Sequence, residues 1–278
     1  LKHVVFDPLA GVPLPHQLVY ALAAADRVVT EAQAVQLLAQ GSVFRDKVRL
    51  RSPEPPGPGS PIEVFWPDLP VTEFTLEPKR IVWQDEHLLI VDKPQRVNTS
   101  PSPFSDIDCL TWGVQKLLGP GFAIHAVHRL DRDTRGLVFF AKHKAAELAL
   151  HAMFRHRAVR KVYRAVTPAF VLPDGSAPAP RYRWRDTLDF RGKVQAAATT
   201  ALRSSTDAQG RLVWTVLPHT GRPHQIRRHF ARYLVPLWGD QAYAPGLYRL
   251  DDDLGLACVA YRFRHPITGE RLAVTLVL

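Results

Sequence analysis

The chain has 278 residues, 46% hydrophobic and 22% charged, which suffices for a buried core and fits one or two domains. Lysine and arginine total 36 against 26 acids, a formal net charge of +10 that favours a polyanionic partner through counterion release. No run of about 18 apolar residues occurs, which excludes a membrane-spanning helix. Two cysteines, Cys109 and Cys258, are too few for a disulfide framework and fit thiols in a reducing cytoplasm, the expected location.

Leu14, Leu18 and Leu22 recur at helical spacing, with Pro15 tolerated in a first turn. Thr30 to Gln33 reads as a capping box opening a second helix through Val35, Leu37 and Leu38, and Gly41 stops it. Val43, a basic stretch from Arg45 to Arg49, a Pro/Gly-rich turn and the strand Ile62 to Trp66 follow. Two short helices, a basic strand and a Pro-Gly-x-x-Ile-Glu-Val strand together resemble the S-four-like RNA-binding domain. The expected division is a small domain over 1–70, a proline-rich linker over 71–79 and a larger domain over 80–278.

In that larger part, Ile81 to Trp83 and His87 to Val91 predict strands joined by a turn. Thr111 to Leu118 predicts a short helix closed by Gly119-Pro120. Leu137 to Ala141 predicts a buried strand, and His143 to Arg157 a helix that buries Leu148, Ala152 and Met153. Strands and turns alternate from there, with a helix at His224 to Tyr233. The mixture is α+β and lacks the regular strand–helix alternation of a doubly wound sheet.

The segment His128-Arg129-Leu130-Asp131-Arg132-Asp133-Thr134-Arg135-Gly136-Leu137 carries the chemistry. Two carboxylates two residues apart share a side in extended chain. An Asp-x-Asp phosphatase would need its apolar strand before the first aspartate, and here the strand follows. A kinase catalytic loop would keep His-Arg-Asp contiguous, yet Leu130 interrupts it, and no Gly-rich phosphate loop exists. A carboxylate nucleophile held ionised by neighbouring cations remains.

This segment closely resembles the hallmark of RluA-type pseudouridine synthases. Four further blocks resemble that family in the same order: Ile81 to Pro94, Arg160 to Ala165, Thr220 to Arg227 with Gly239-Asp240, and His265 to Glu270. The match spans roughly 80–275. It implies a catalytic fold with a bent, mainly antiparallel sheet flanked by helices around a central cleft. It also implies isomerisation of uridine to pseudouridine in RNA, without cofactor or metal.

By the same resemblance Asp131 is the catalytic carboxylate, and Arg227 pairs with it through a bidentate guanidinium that keeps it anionic. Tyr163 stacks on the flipped base and assists loss of its C5 proton. Ile226 forms an apolar wall. Arg129 fills the gap left by the extruded nucleotide. His128, Lys93, Lys161, Arg160, Arg222 and His224 are assigned to RNA binding. Attack at C1′, addition to C6 and removal of a C2′ proton all remain open. Ribosomal RNA is the favoured target, with transfer RNA second and a monomer expected. The alternative is an inactive RNA-binding or ribosome-assembly factor on the same fold, which the intact Asp131–Tyr163–Arg227 set argues against. Two departures stand out: Gln95-Arg96 replaces the family's x-Gly after Lys93-Pro94, and Arg135 replaces a serine beside the catalytic loop.

Overall fold

In the computed structural model, which describes residues 2–68 and 70–277, the chain forms two units: residues 1–76 with 100–117, and residues 77–99 with 118–278.

The first unit begins with a strand the sequence pattern does not signal, β1 (His3–Phe6). Helix α1 (Leu14–Ala23) carries Pro15 in its first turn. Helix α2 (Glu31–Ala39) starts with the anticipated capping box: the Thr30 hydroxyl accepts from the Gln33 N–H, and the Gln33 side chain accepts from the Thr30 N–H. Strands β2 (Val43–Arg45) and β3 (Val48–Arg49) turn through Asp46 and Lys47, both at positive φ. With β4 (Ile62–Phe65) they form an antiparallel sheet in the order β1-β4-β2-β3. Leu14, Leu18, Leu22, Ala34, Leu37, Leu38, Val43, Ile62 and Val64 make its core.

The basic stretch of this unit is engaged internally. Arg49 donates to the carbonyls of Gly41 and Ser102, and Arg51 donates to that of Ala39; both pair with Asp106. Gln40 and Ser42 bond the Phe104 carbonyl. Residues 100–117, which include most of α3 (Leu110–Leu118), therefore belong with this unit, although composition grouped them with 80–278. The expected linker is ordered as well. Phe74 donates its N–H to the Ile107 carbonyl, Leu76 is buried, and Glu73 accepts from Trp112 and Lys116. Composition along a chain cannot register that the chain leaves a unit and returns to it.

The second unit is a ten-stranded sheet. Its strands are β5 (Ile81–Gln84), β6 (Leu88–Lys93), β7 (His125–Ala126), β8 (Arg135–Ala141), β9 (Arg160–Thr167), β10 (Arg181–Phe190), β11 (Lys193–Thr206), β12 (Leu212–Pro218), β13 (Leu256–Arg264) and β14 (Arg271–Thr275). The order is β10-β11-β12-β9-β13-β8-β6-β5, with β14 on β13 and β7 on β8. Among the described strands only the β8–β13 pairing is parallel. Helix α4 (Lys144–Arg155) follows β8 and buries Ala146 and Leu150, whereas Leu148 is 59% exposed. The expected buried face was thus out of phase. The His143 ring caps the helix by accepting from the Ala146 N–H, and the helix packs on β8. Helix α5 (Gln225–Tyr233) seats Phe230 between Trp184 and Trp214.

One glycine decides how the sheet reaches the site. Gly136 sits at φ +116, directly beside Cys258 in the parallel pairing, and a Cβ there would collide with the Cys258 backbone. Cys258 in turn pairs with Tyr163. The start of β8, and with it the preceding loop, is thereby brought beside β13 and β9.

Candidate active site

The loop between β7 and β8 carries Asp131, and four contacts hold that loop from beneath. The Thr134 N–H closes a turn on the Asp131 carbonyl at 3.1 Å. The Thr99 hydroxyl donates to the Leu130 carbonyl at 2.9 Å and accepts the Leu130 N–H at 3.1 Å. Leu130 is buried, whereas the Asp131 side chain is 30% exposed. Lys93 donates to the carbonyls of Arg132, Pro94 and Val97 at 2.8–2.9 Å. Lys93 is therefore a buried support of the loop and not a phosphate contact, which corrects its assignment; burial lowers its pKa to about 7. No sequence motif singled out Thr99.

The opposite wall comes from the turn before α5. Gln225 is buried and uses both ends of its amide. Its carbonyl accepts from the Thr220 hydroxyl and the Arg222 N–H, and its NH₂ donates to Ala198 and Thr199. A side chain with two acceptor sites and two donors fits that position. His224 takes the left-handed conformation, φ 52, and directs its ring toward Asp131: Nε2 lies 3.9 Å from Oδ1, and Nδ1 lies 3.1 Å from the Tyr243 hydroxyl.

Between these walls lies a cleft of about 440 Å³. Asp131, Tyr163, Arg227, Arg129, Lys161, Arg222, His224 and Ile226 all line it, as the resemblance implies. Phe190 and Arg191, at the tip of the β10–β11 hairpin, line it too and were not anticipated. Among the described lining residues Asp131 is the one acid, set against Arg129, Lys161, Arg191, Arg222 and Arg227.

Arg227 departs from expectation. Its Nε and Nη2 form a fork on Asp240 at 2.9 and 2.6 Å, and the two side chains are 4% and 0% exposed. Burial alone would lower its pKa, but the hydrogen bonds and charge of Asp240 outweigh that and raise it, with Asp131 adding to the effect. The bidentate partner is thus Asp240, and Asp131 feels Arg227 as a nearby charge. Gly239-Asp240 was recognised as part of the block, but its role as the arginine's counterion was not legible. His128 also moves away from the expected role. Its ring packs on Phe154 and Phe139, and Nε2 accepts the Phe139 N–H at 3.1 Å. Burial holds its pKa well below the usual imidazole value, so it is a neutral structural ring. Arg160 is separated from Lys161 by strand alternation: Lys161 lies on the cleft side with Tyr163, and Arg160 faces the other way.

Tyr163 is buried in β9. Burial first, then the Cys258 thiol and the Asp131 charge, push its pKa well above that of a free phenol, so its hydroxyl keeps its proton. The two departures from the family pattern also resolve. Arg96 keeps the turn that glycine would make, at φ 62, and its guanidinium donates to the carbonyls of Leu250, Asp251 and Asp252. Gln95 bonds the Leu254 carbonyl. Arg135 points away from the cleft onto Asp92, which also binds Arg80. Among the described residues no His/Cys/Asp/Glu group is arranged to hold a metal.

The sequence model of the RNA pseudouridylate synthase family matches residues 87–232, more than half of the chain. The chain belongs to that family. Among its relatives, the dual-specificity RNA pseudouridine synthase RluA of Vibrio vulnificus (strain CMCP6) is 31% identical over 196 residues, covering 67% of this chain and 78% of that protein. The ribosomal large subunit pseudouridine synthase D of Haemophilus influenzae is 28% identical over 236 residues, covering 77% and 72%. The structure of human RNA pseudouridylate synthase domain containing 4 shares the fold, with TM-score 0.56 and 22% identity over 72% of this chain and 88% of that one. The chain is therefore an RluA-type isomerase that converts uridine to pseudouridine in RNA.

Proposed function

We propose that this pseudouridine synthase modifies a uridine in ribosomal RNA, flips that nucleotide into the 440 Å³ cleft, and uses Asp131 as the reacting carboxylate. The observation that carries the proposal is the single acid among five cations on the cleft lining. The cations draw in phosphate and leave one side chain fit to act as a nucleophile or base. Large-subunit ribosomal RNA is favoured because the Haemophilus relative is named for it.

In this proposal Arg129, exposed at the cleft, fills the stack vacated by the flipped base, and Ile226 packs under that base. Lys161, Arg222 and His224 contact the RNA backbone. Tyr163 lies against the base, and its protonated hydroxyl relays the C5 proton to water, taking that proton on oxygen as it gives up its own. Asp131 attacks C1′, adds to C6 or removes the C2′ proton. The protein acts as a monomer in the cytoplasm.

The experiment maps pseudouridines by carbodiimide sequencing in cells carrying wild type, Asp131→Asn or no copy. The expected result is one or a few ribosomal RNA sites present with wild type and absent with Asp131→Asn, while RNA affinity in vitro is retained. Sites confined to transfer RNA would replace the target class, and full modification by Asp131→Asn would refute the catalytic assignment.

A further inference from the structure

The sheet of the second unit has a second charged face, which the cleft does not use. Register assigns each strand residue to a side. Tyr163 aligns with Val216, Ala201 and Tyr182, and this is the cleft side. On the other side Arg164 aligns with Thr215, Leu202 and Arg181. Alternation adds Arg183 and Arg185 beside Arg181 on the sheet-edge strand β10, all three exposed. Two strands beyond β12, exposed Arg262 stands directly opposite exposed Arg160, and Arg264 directly opposite Arg271.

These arginines form no ion pair with a described residue, and Asp189 is the only acid among the β9–β14 residues on this side. Like charges placed directly across a strand pair destabilise a sheet, so two arginine–arginine pairs without a neutralising acid point to an external anion. The lane between the two arginine groups is uncharged: Ala198, Thr200 and Leu202 on β11, Thr215 and Leu217 on β12. From β10 to β9 and β13 the separation is about 15–20 Å, at roughly 4.8 Å per strand. None of the described β9–β14 residues on this side is aromatic. A surface for single strands would offer rings for base stacking. Two rows of cations flanking a neutral lane instead suit the two backbones of a double helix, which proteins read through phosphates and shape.

We infer that this face is a second RNA-docking surface, gripping the phosphates of a double-helical arm of the substrate that lies outside the cleft. The inference rests on RNA being the substrate and does not depend on which RNA it is.

The test uses the full chain with Arg181, Arg183 and Arg185 changed to Gln, with Arg262, Arg264 and Arg271 changed to Gln, and with all six changed. The probe is a perfect RNA duplex without a loop, titrated across a potassium chloride series. Each triple is expected to reduce the slope of log affinity against log salt by about 2 to 3, near 0.9 for every phosphate no longer neutralised. The six-fold variant should bind the duplex at least about tenfold more weakly at low salt. Its melting temperature should be unchanged or higher, because repulsion has been removed. On a minimal stem-loop kcat should be unaffected, whereas KM on long structured RNA should rise. Duplex affinity and salt slope equal to wild type in the six-fold variant would overturn the inference. So would loss of binding to anionic lipid vesicles with duplex binding intact. A wild type that modifies no RNA would refute the enzyme assignment, while the salt slopes would still judge this surface on their own.

Discussion

Removing the Asp240 carboxylate is the sharpest perturbation of the site. Asp240 is sealed from solvent and accepts four hydrogen bonds, two from the Arg227 fork and two from the N–H groups of Ala242 and Tyr243. Asp240→Ala leaves a guanidinium, itself 4% exposed, without its counterion. Breaking one side of such a buried pair costs about 3–5 kcal/mol. For a protein of this size that is a fall in melting temperature of about 10 °C. Thermal melts by circular dichroism read the stability, and tritium release from C5-labelled uridine in RNA reads the activity. Arg227→Met with Asp240→Leu should recover most of the lost melting temperature, because an apolar pair replaces the ionic one without burying a lone charge. It should not recover pseudouridine formation. A melting temperature for Asp240→Ala within about 2 °C of wild type would refute the reasoning, because Arg227 would then have another anion to hold it.

Three further outcomes follow from Lys93, Arg96 and Gly136. Burial lowers the Lys93 pKa from 10.5 to about 7, so the unfolded chain binds that proton more tightly than the folded one. Between pH 7 and 10.5 wild type should gain stability relative to Lys93→Met, by at most about 1.4 kcal/mol per pH unit, with no further change below pH 7. Urea melts of both proteins across that range check it, and parallel curves would contradict it. Arg96→Ala keeps the left-handed backbone and loses the carbonyl latch, whereas Arg96→Gly loses the latch and relieves the backbone. The glycine variant should therefore melt about 2–4 °C above the alanine variant; equal values would mean the backbone carries no strain. Gly136→Ala forces a methyl into the Cys258 backbone and should yield no folded soluble protein, so a wild-type melt would disprove the close approach.

Much of the fold was legible because its signals are local. The capping box at Thr30, the leucine spacing of α1 and the apolar run of β8 each act within a few residues. What failed depended on partners distant in sequence. β1 has only four residues and gains its identity by pairing with β4 some sixty positions on. The phase of α4 follows from its packing on β8, which buries Ala146 and Leu150 and not the larger apolar side chains. The return of residues 100–117 to the first unit depends on Gln40, Ser42, Arg49 and Arg51 finding acceptors there.

The site shows the same division in its electrostatics. Motif order brought eight named residues to one cleft, because each block fixes a turn whose geometry is internal to it. Motif order could not say which acid Arg227 would hold, because the fork on Asp240 is visible only once the chain is folded. Nor could it say where the net charge goes. Arg160 and Lys161 are adjacent cations in sequence, yet the strand sends Lys161 to the cleft that Asp131 lines and Arg160 to the other face, opposite Arg262. A run of positive charge in a strand is thus two half-runs with separate environments. Here one half surrounds a lone carboxylate, and the other has Asp189 as its single strand acid, which forms no ion pair with a described residue. An excess of ten positive charges reads as simple affinity for polyanions until register divides it. Once divided, it offers two places for phosphate, and only one of them is the cleft that Asp131 lines.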